Sequence, residues 1–167
     1  MTFQPAEIQA VTKSELYAGL AVQVRSLLED ERDFIANAAN LSSLLYHSLP
    51  ELNWAGFYLL KDNELVLGPF QGRPACVRIA LGKGVCGTAA EHRQTLIVPD
   101  VHEFPGHIAC DSASNSEIVV PLVKNGNLIG VLDLDSPKRA RFDDEDAQGL
   151  NELVEIFLAA TSTNFKL

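Results

Sequence analysis

The chain has 167 residues, of which 47% are hydrophobic and 21% are charged, values typical of one soluble globular domain with its own core. Its net charge is −9, from 13 Lys and Arg against 22 Asp and Glu, and the basic residues form no cluster. Binding to a phosphate backbone needs concentrated positive charge, so we expect no nucleic-acid partner. The sequence shows no apolar run that could span a bilayer and no signal peptide, so we expect a cytoplasmic protein with reduced thiols.

The spacing of apolar residues predicts an α+β fold. We assign residues 1–13 to an N-terminal tail and residues 14–167 to one domain. Apolar residues recur at helical spacing after Ser14, again up to Pro50, and once more after Asp143, the expected N-cap of the last helix. Between these helices, short apolar and β-branched runs predict an antiparallel sheet. The predicted strands cover 53–60, 64–70, about 75–80, 95–98 and the hairpin 118–135, with a short helix at 82–91 and a long loop at 99–116.

The hairpin decides which side of the sheet its acidic residues face. Asn125-Gly126 between two apolar runs marks a tight turn, because both residues tolerate positive φ. Pro121 has no N–H to donate, so one side of its strand must be an edge or a bulge. A two-residue turn would place Ile118 opposite Asp133 and turn Glu117 to the other side of the sheet, whereas a three-residue loop would pair Glu117 with Asp133. The sequence leaves both registers open.

The three cysteines occupy different local settings. Cys86 stands between Gly84 and Gly87 at the expected start of a helix, where backbone N–H groups favour a thiolate and lower a thiol pKa; the alternative is a small residue in a tight turn. Cys110 lies in the long polar loop, where a mobile thiol can reach a partner and an idle one is prone to oxidation. Cys76 alternates with apolar residues of a predicted strand, so we expect it to be buried.

Asp133 and Asp135 lie two residues apart on one predicted strand and therefore point to the same face. Two like charges at that spacing repel, so we expect one of the carboxyls to hold a proton near neutral pH unless a cation separates them. Trp54 and Tyr58 also share a face of their strand, where they either wall a small pocket or fill the core.

A zinc site is the metal alternative, formed by His102, His107 and Cys110. Its spacing matches no closed structural zinc pattern, so we expect no metal there.

Four segments together resemble the free methionine-(R)-sulfoxide reductases, a family of GAF-domain enzymes. They are N53-W-A-G-F-Y58, G82-K-G-V-C-G-T-A89, the polar loop around Cys110, and L128-I-G-V-L-D-L-D135 followed by Ser136 and Pro137. The glycine-rich turn and the hairpin occur in GAF domains generally, so they identify only the fold. The specific part is the set of three cysteines, ten and then twenty-four residues apart, together with Glu117, Asp133 and Asp135.

The resemblance implies a GAF fold, an antiparallel six-stranded sheet flanked by helices, often assembled as a homodimer. It implies reduction of free L-methionine (R)-S-oxide to methionine, with electrons from thioredoxin and no metal or other cofactor. It assigns the attack on the substrate to Cys110 and the usual resolving role to Cys86, with Cys76 as a third thiol. The implied substrate-binding residues are Glu117, Asp133, Asp135, Trp54 and Tyr58.

Two other classes of function are compatible with the residues. A GAF sensory module would bind a small ligand such as a cyclic nucleotide and regulate a partner domain, and a redox sensor would cycle its thiols without a substrate. We see no partner domain in the sequence, and acidic residues suit an ammonium group better than a phosphate. The reductase hypothesis requires that thiols and acids meet at one cavity.

Overall fold

A computed structural model of the chain describes residue 3 and residues 5–108 and 112–163. Within these ranges no helix is both long enough and apolar enough to span a bilayer. The helices are α1 (Lys13–Leu27), α2 (Phe34–Ser48), α3 (Gly84–His92) and α4 (Asp144–Ala160). The strands are β1 (Trp54–Lys61), β2 (Glu64–Gly72), β3 (Arg78–Ala80), β4 (Leu96–Val98), β5 (Ser116–Lys124) and β6 (Asn127–Ser136), with one 3-10 turn at Val101–Glu103.

The six strands form one sheet in the order β3-β2-β1-β6-β5-β4, and every neighbouring pair is antiparallel. The predicted α+β class with a six-stranded antiparallel sheet is therefore confirmed. β4 pairs with β5 only as far as Val119, so Pro121 lies beyond the last β4 pair, as its missing N–H requires.

Strict alternation along the central strands divides the interior into two cores. Ala55, Phe57 and Leu59 of β1 join the larger core, which also contains the buried faces of α1, α2 and α4. Trp54 and Tyr58 alternate with them and join a smaller core on the opposite face, where α3 packs. Because successive side chains of a strand point to opposite faces, one face of the sheet carries the helical core and the other is left for a site.

Capping residues fix where the outer helices begin. Thr12 and Asp143 each form a capping box, in which the side chain accepts from backbone N–H groups of the first turn. The predicted N-cap at Asp143 is confirmed. Its capping-box partner Asp146 is fully buried and also accepts from the Tyr17 hydroxyl at 2.9 Å, which ties α4 to α1.

The hairpin register differs from both registers considered for the sequence. The turn is the two-residue Asn125-Gly126, but the ladder shifts by one residue, since Val123 pairs with Leu128 and Leu122 pairs with Gly130. Ile129 is thus an extra residue in β6. Because of this shift, the Glu117 side chain lies on the same face of the sheet as Asp133 and Asp135, and Glu117 pairs with Asp135 rather than with Asp133.

Candidate active site

One pocket on the α3 side of the sheet collects six of the eight predicted site residues. Its lining includes Trp54, Tyr58, Cys86, Glu117, Asp133 and Asp135. Each of the three acids comes from the face of β5 or β6 that alternates away from the helical core. One thiol and three acids therefore meet at this cavity, while the second thiol that the reductase hypothesis requires, Cys110, lies outside the described residues.

Two aromatic rings form one wall of this pocket. Trp54 stacks against Tyr58 and Phe70, with ring centroids 5.9 Å and 5.3 Å away. Its indole N–H donates to the Arg73 carbonyl at 3.1 Å, and the Tyr58 hydroxyl donates to the Cys76 carbonyl at 3.0 Å. With both polar tips used, the rings present an apolar surface to the cavity.

Cys86 and two carboxyl groups form a compact cluster at the buried end of the pocket. Cys86 Sγ lies 3.7 Å from Glu117 Oε1. One sulfur or oxygen atom from each of Cys86, Glu117 and Asp133 can be chosen so that the three lie within 4.8 Å of one another. All three residues are at most 6% exposed. Asp133 Oδ1 is buried without a hydrogen-bond partner, so the cluster contains one unsatisfied acceptor.

The environment keeps this cluster protonated. Burial, and then the neighbouring Asp133 and Asp135, raise the pKa of Glu117 well above its usual range. Burial raises the pKa of Asp133 to about 7. Two interacting carboxyls release their protons in two steps that belong to the pair, so the raised pKa values favour a carboxylic acid in this site that can donate a hydrogen bond. The raised pKa of Asp133 has the direction expected for one acid of the Asp133–Asp135 pair, and its largest cause is burial.

The expected thiolate at Cys86 is wrong. α3 does begin at Gly84, and Gly87 lets it approach the strand before it, because an added Cβ there would lie 2.3 Å from the Ala80 carbonyl oxygen. The same close packing buries Cys86. Burial, and then the carboxyls of Asp133 and Glu117, raise the pKa of the Cys86 thiol well above its usual range. The loss of water and the adjacent acids outweigh the helix N-terminus.

Cys76 is placed differently from Cys86. Cys76 precedes β3 instead of lying in it, is half-buried and is disulfide-bonded, whereas Cys86 is a free thiol. The expectation that Cys76 is a buried strand residue is therefore corrected: β3 begins only at Arg78. Cys110 lies outside the described residues. The alternative zinc site of His102, His107 and Cys110 therefore stays a prediction.

Several pocket residues were missed from the sequence. Arg73 and Lys83 bring positive charge to the lining, and His107, Ile108 and Ser114 come from the long loop. Ile108 lies against Gly84, where an added Cβ would meet its side chain at 3.2 Å. These residues belong to turns and loops without periodicity. The only sequence signal for them is the unusual length of the loop at 99–116.

His107, a titratable residue of the long loop, lies close to one of the acids. Its Nε2 lies 4.0 Å from Glu117 Oε2, and the side chain is 14% exposed. Burial, and then the nearby His102, lower the pKa of His107, so its imidazole is neutral near pH 7. A neutral imidazole beside Glu117 can donate a hydrogen bond from one ring nitrogen and accept one at the other without adding a fixed charge.

Comparison with known proteins identifies the family. A family model described as GAF domain matches residues 36–160. A protein of Escherichia coli (strain K12) described as free methionine-R-sulfoxide reductase is 54% identical over 157 residues, which cover 93% of this chain and 95% of that one. The chain belongs to the free methionine-R-sulfoxide reductase family. It is therefore an oxidoreductase built on a GAF domain.

Further members agree with this placement in the free methionine-R-sulfoxide reductase family. A protein of the same description from Saccharomyces cerevisiae is 44% identical over 154 residues, covering 87% of this chain and 86% of its own. An X-ray structure of free methionine-R-sulfoxide reductase from Neisseria meningitidis in complex with its substrate matches with a TM-score of 0.90 and 46% identity, covering 93% of this chain and 94% of that one.

Proposed function

We propose that this protein reduces free L-methionine (R)-S-oxide to L-methionine, with electrons supplied in the end by thioredoxin. The observation that carries the proposal is the pocket itself, in which an apolar aromatic wall faces a buried cluster of protonated acids and a thiol. A sulfoxide substrate needs both surfaces. Membership of the reductase family supplies the substrate class.

The substrate would bind with its S-methyl end against the aromatic wall. Trp54 and Tyr58 provide that surface, and their polar tips are already bonded to backbone carbonyls. Asp135, between Trp54 and Glu117 in the sheet, would bind the ammonium group. Arg73 and Lys83 would face the substrate carboxylate. Recognition of both charged ends explains why the free amino acid, and not a methionine within a peptide, would be the substrate.

Acid catalysis comes from the protonated cluster. A sulfoxide sulfur is a poor electrophile until its oxygen accepts a hydrogen bond or a proton. Burial raises the pKa of Glu117, so this residue holds a proton, and its Oε1 accepts a hydrogen bond from the Cys86 thiol. Glu117 can therefore donate a proton to the sulfoxide oxygen as the S–O bond breaks. Asp133 shares that proton and supports the same role.

The redox steps move two electrons from thiols to the substrate. The Cys110 sulfur attacks the sulfoxide sulfur and forms an S–S bond to it. The oxygen then moves to Cys110 as the S–O bond and this new S–S bond both break, so methionine leaves and Cys110, with the thiol proton on that oxygen, is a sulfenic acid. A second cysteine thiol then attacks this sulfenic acid, forms a disulfide and releases the oxygen as water. A dithiol of thioredoxin reduces the disulfide and becomes oxidised itself. Atoms and electrons balance without a metal or prosthetic group.

The second thiol is either Cys86 or Cys76. The family resemblance favours Cys86, but its thiol is buried and has a raised pKa, which disfavours nucleophilic attack. The disulfide at Cys76 supports giving the resolving step to Cys76. In that arrangement Cys86 contributes a neutral thiol to the acid cluster.

The test is an assay with purified protein, thioredoxin, thioredoxin reductase and NADPH. We expect NADPH oxidation that starts on addition of free methionine-(R)-sulfoxide and does not start with the S epimer. Cys110→Ser should abolish methionine formation even in a single turnover without thioredoxin. Tight binding of a cyclic nucleotide with no NADPH oxidation would favour the sensory alternative and refute this proposal.

A further inference from the structure

We propose that the cluster of Cys86, Glu117 and Asp133 is a zinc-binding site, and that a bound Zn²⁺ blocks the pocket against the substrate. The binding part stands on the geometry alone. The inhibitory part rests on the proposed function, because it requires that the substrate use the same pocket.

Ligand separations match what zinc requires. A tetrahedral zinc with bonds of about 2.3 Å to sulfur and 2.0–2.2 Å to oxygen holds these ligands about 3.5 Å apart. Cys86 Sγ lies 3.7 Å from Glu117 Oε1, and one possible ligand atom from each of the three residues lies within 4.8 Å of the other two. Small side-chain rotations would therefore close the set around one ion.

The cluster also contains an oxygen that lacks a partner. Asp133 is 6% exposed and lines the pocket, yet its Oδ1 forms no hydrogen bond. Buried polar atoms are nearly always satisfied, so an unpaired carboxyl oxygen that faces a cavity marks a position for a ligand. A bound cation would coordinate this oxygen, which accepts no hydrogen bond from the protein.

The donor set selects the kind of ion. Magnesium and calcium prefer six or more oxygen ligands, and a thiol in so small a set argues against both. One sulfur and two oxygens suit Zn²⁺, with a fourth position left for water or another side chain. His107 can supply it, since its neutral Nε2 lies 4.0 Å from Glu117 Oε2, close to the spacing of two ligands on one zinc ion.

Binding is tested first on protein whose Cys76 disulfide is kept intact. Calorimetric titration with zinc sulfate should give one ion per chain, and Cys86→Ser and Glu117→Gln should each weaken binding at least about tenfold. Glu155→Gln, an exposed residue of α4, is the matched control and should leave the affinity unchanged. Cobalt(II) should give a sulfur-to-cobalt charge-transfer band that Cys86→Ser lacks. No binding, or binding that both pocket variants retain, overturns the proposal.

Inhibition is tested in single turnovers of reduced protein without thioredoxin, because the thiols of the coupling enzymes also bind zinc. Zinc should slow methionine formation, excess methionine-(R)-sulfoxide should relieve the effect, and a chelator should reverse it. Cys76→Ser should remain sensitive, which separates this site from zinc held by the redox thiols. Insensitivity of an active wild-type protein, or sensitivity lost in Cys76→Ser, overturns the inhibitory role. Wild-type protein that forms no methionine without zinc refutes the proposed function instead, and the calorimetric result still stands.

Discussion

Glu117 lies opposite Asp135 across the β5–β6 ladder, while its Oε1 lies 3.7 Å from the sulfur of Cys86 on α3. One side chain thus connects the sheet's acidic face to the helix that covers it. Glu117 and Cys86 are both buried, and burial together with the neighbouring carboxyls raises the pKa of each well above its usual range. The protonation of the pocket is a property of this packing rather than of any one residue.

The two candidate resolving cysteines can be separated by substitution. With Cys76→Ser we expect about one methionine per chain and then a stall, because the sulfenic acid finds no accessible thiol. Cys86→Ser should continue to turn over with thioredoxin, though more slowly, since it keeps Cys76 and perturbs only the acid cluster. Methionine per chain with and without thioredoxin is the measurement. A stall in Cys86→Ser and continued cycling in Cys76→Ser would give the resolving role to Cys86.

Removal of the proposed proton donor should affect the chemical step. Glu117→Gln keeps the shape of the side chain but cannot donate a carboxylic proton, so we expect the single-turnover rate to fall roughly 10²–10⁴-fold. The wild-type rate should also decline as pH rises and the cluster loses its protons, and the variant should lack that decline. Glu155→Gln is the control. A variant with a wild-type rate and pH profile would exclude Glu117 as the acid.

Asp133 should make stability depend on pH. Burial raises its pKa to about 7, so the folded chain binds more protons than the unfolded chain between the unfolded pKa and that value. Stability must then fall as pH rises through this window. Asp133→Asn should therefore raise the Tm more at about pH 8 than at about pH 5, whereas exposed Asp62→Asn should change it equally at both. Parallel pH profiles for wild type and Asp133→Asn would contradict the assignment.

Gly56 leaves space for the aromatic wall. An added Cβ would lie 2.3 Å from Phe70 Cβ, 2.8 Å from Phe70 Cα and 2.7 Å from the Trp54 ring. Gly56→Ala should therefore displace the stacked rings, lower the free energy of unfolding by about 1–3 kcal/mol, and weaken substrate binding. Gly106→Ala offers a contrast, because its Cβ would meet nothing within 4 Å and only the positive φ of 73° is penalised. Equal effects in chemical denaturation would argue against the steric explanation.

Much of the scaffold was predictable because its signals are local. Period-two alternation in β1 and β6 placed Trp54 with Tyr58 and Asp133 with Asp135, and the Asn-Gly turn and the Asp143 cap were both readable from neighbouring residues. Such patterns depend on a few consecutive residues, so no knowledge of the tertiary structure is needed to interpret them.

The rest depended on tertiary packing. The shift at Ile129 decides which way Glu117 points, and the only local signal for a bulge there is the neighbouring Gly130, which is equally consistent with a close approach of another backbone. The helix N-terminus suggested an acidic thiol at Cys86, but the sheet that covers it reversed the sign of the pKa shift. Arg73 and His107 reach the pocket from irregular segments, so only the folded chain reveals their position.

The two cores on opposite sides of the sheet place most of the stabilising apolar packing away from the residues of the pocket. The larger core holds α1, α2 and α4 against one face, and the pocket residues lie on the other. Substitutions that remodel the pocket for a different small molecule should thus leave most of the apolar packing untouched. In laboratory evolution we expect changes of ligand specificity to accumulate in the pocket at little cost to the stability of the fold.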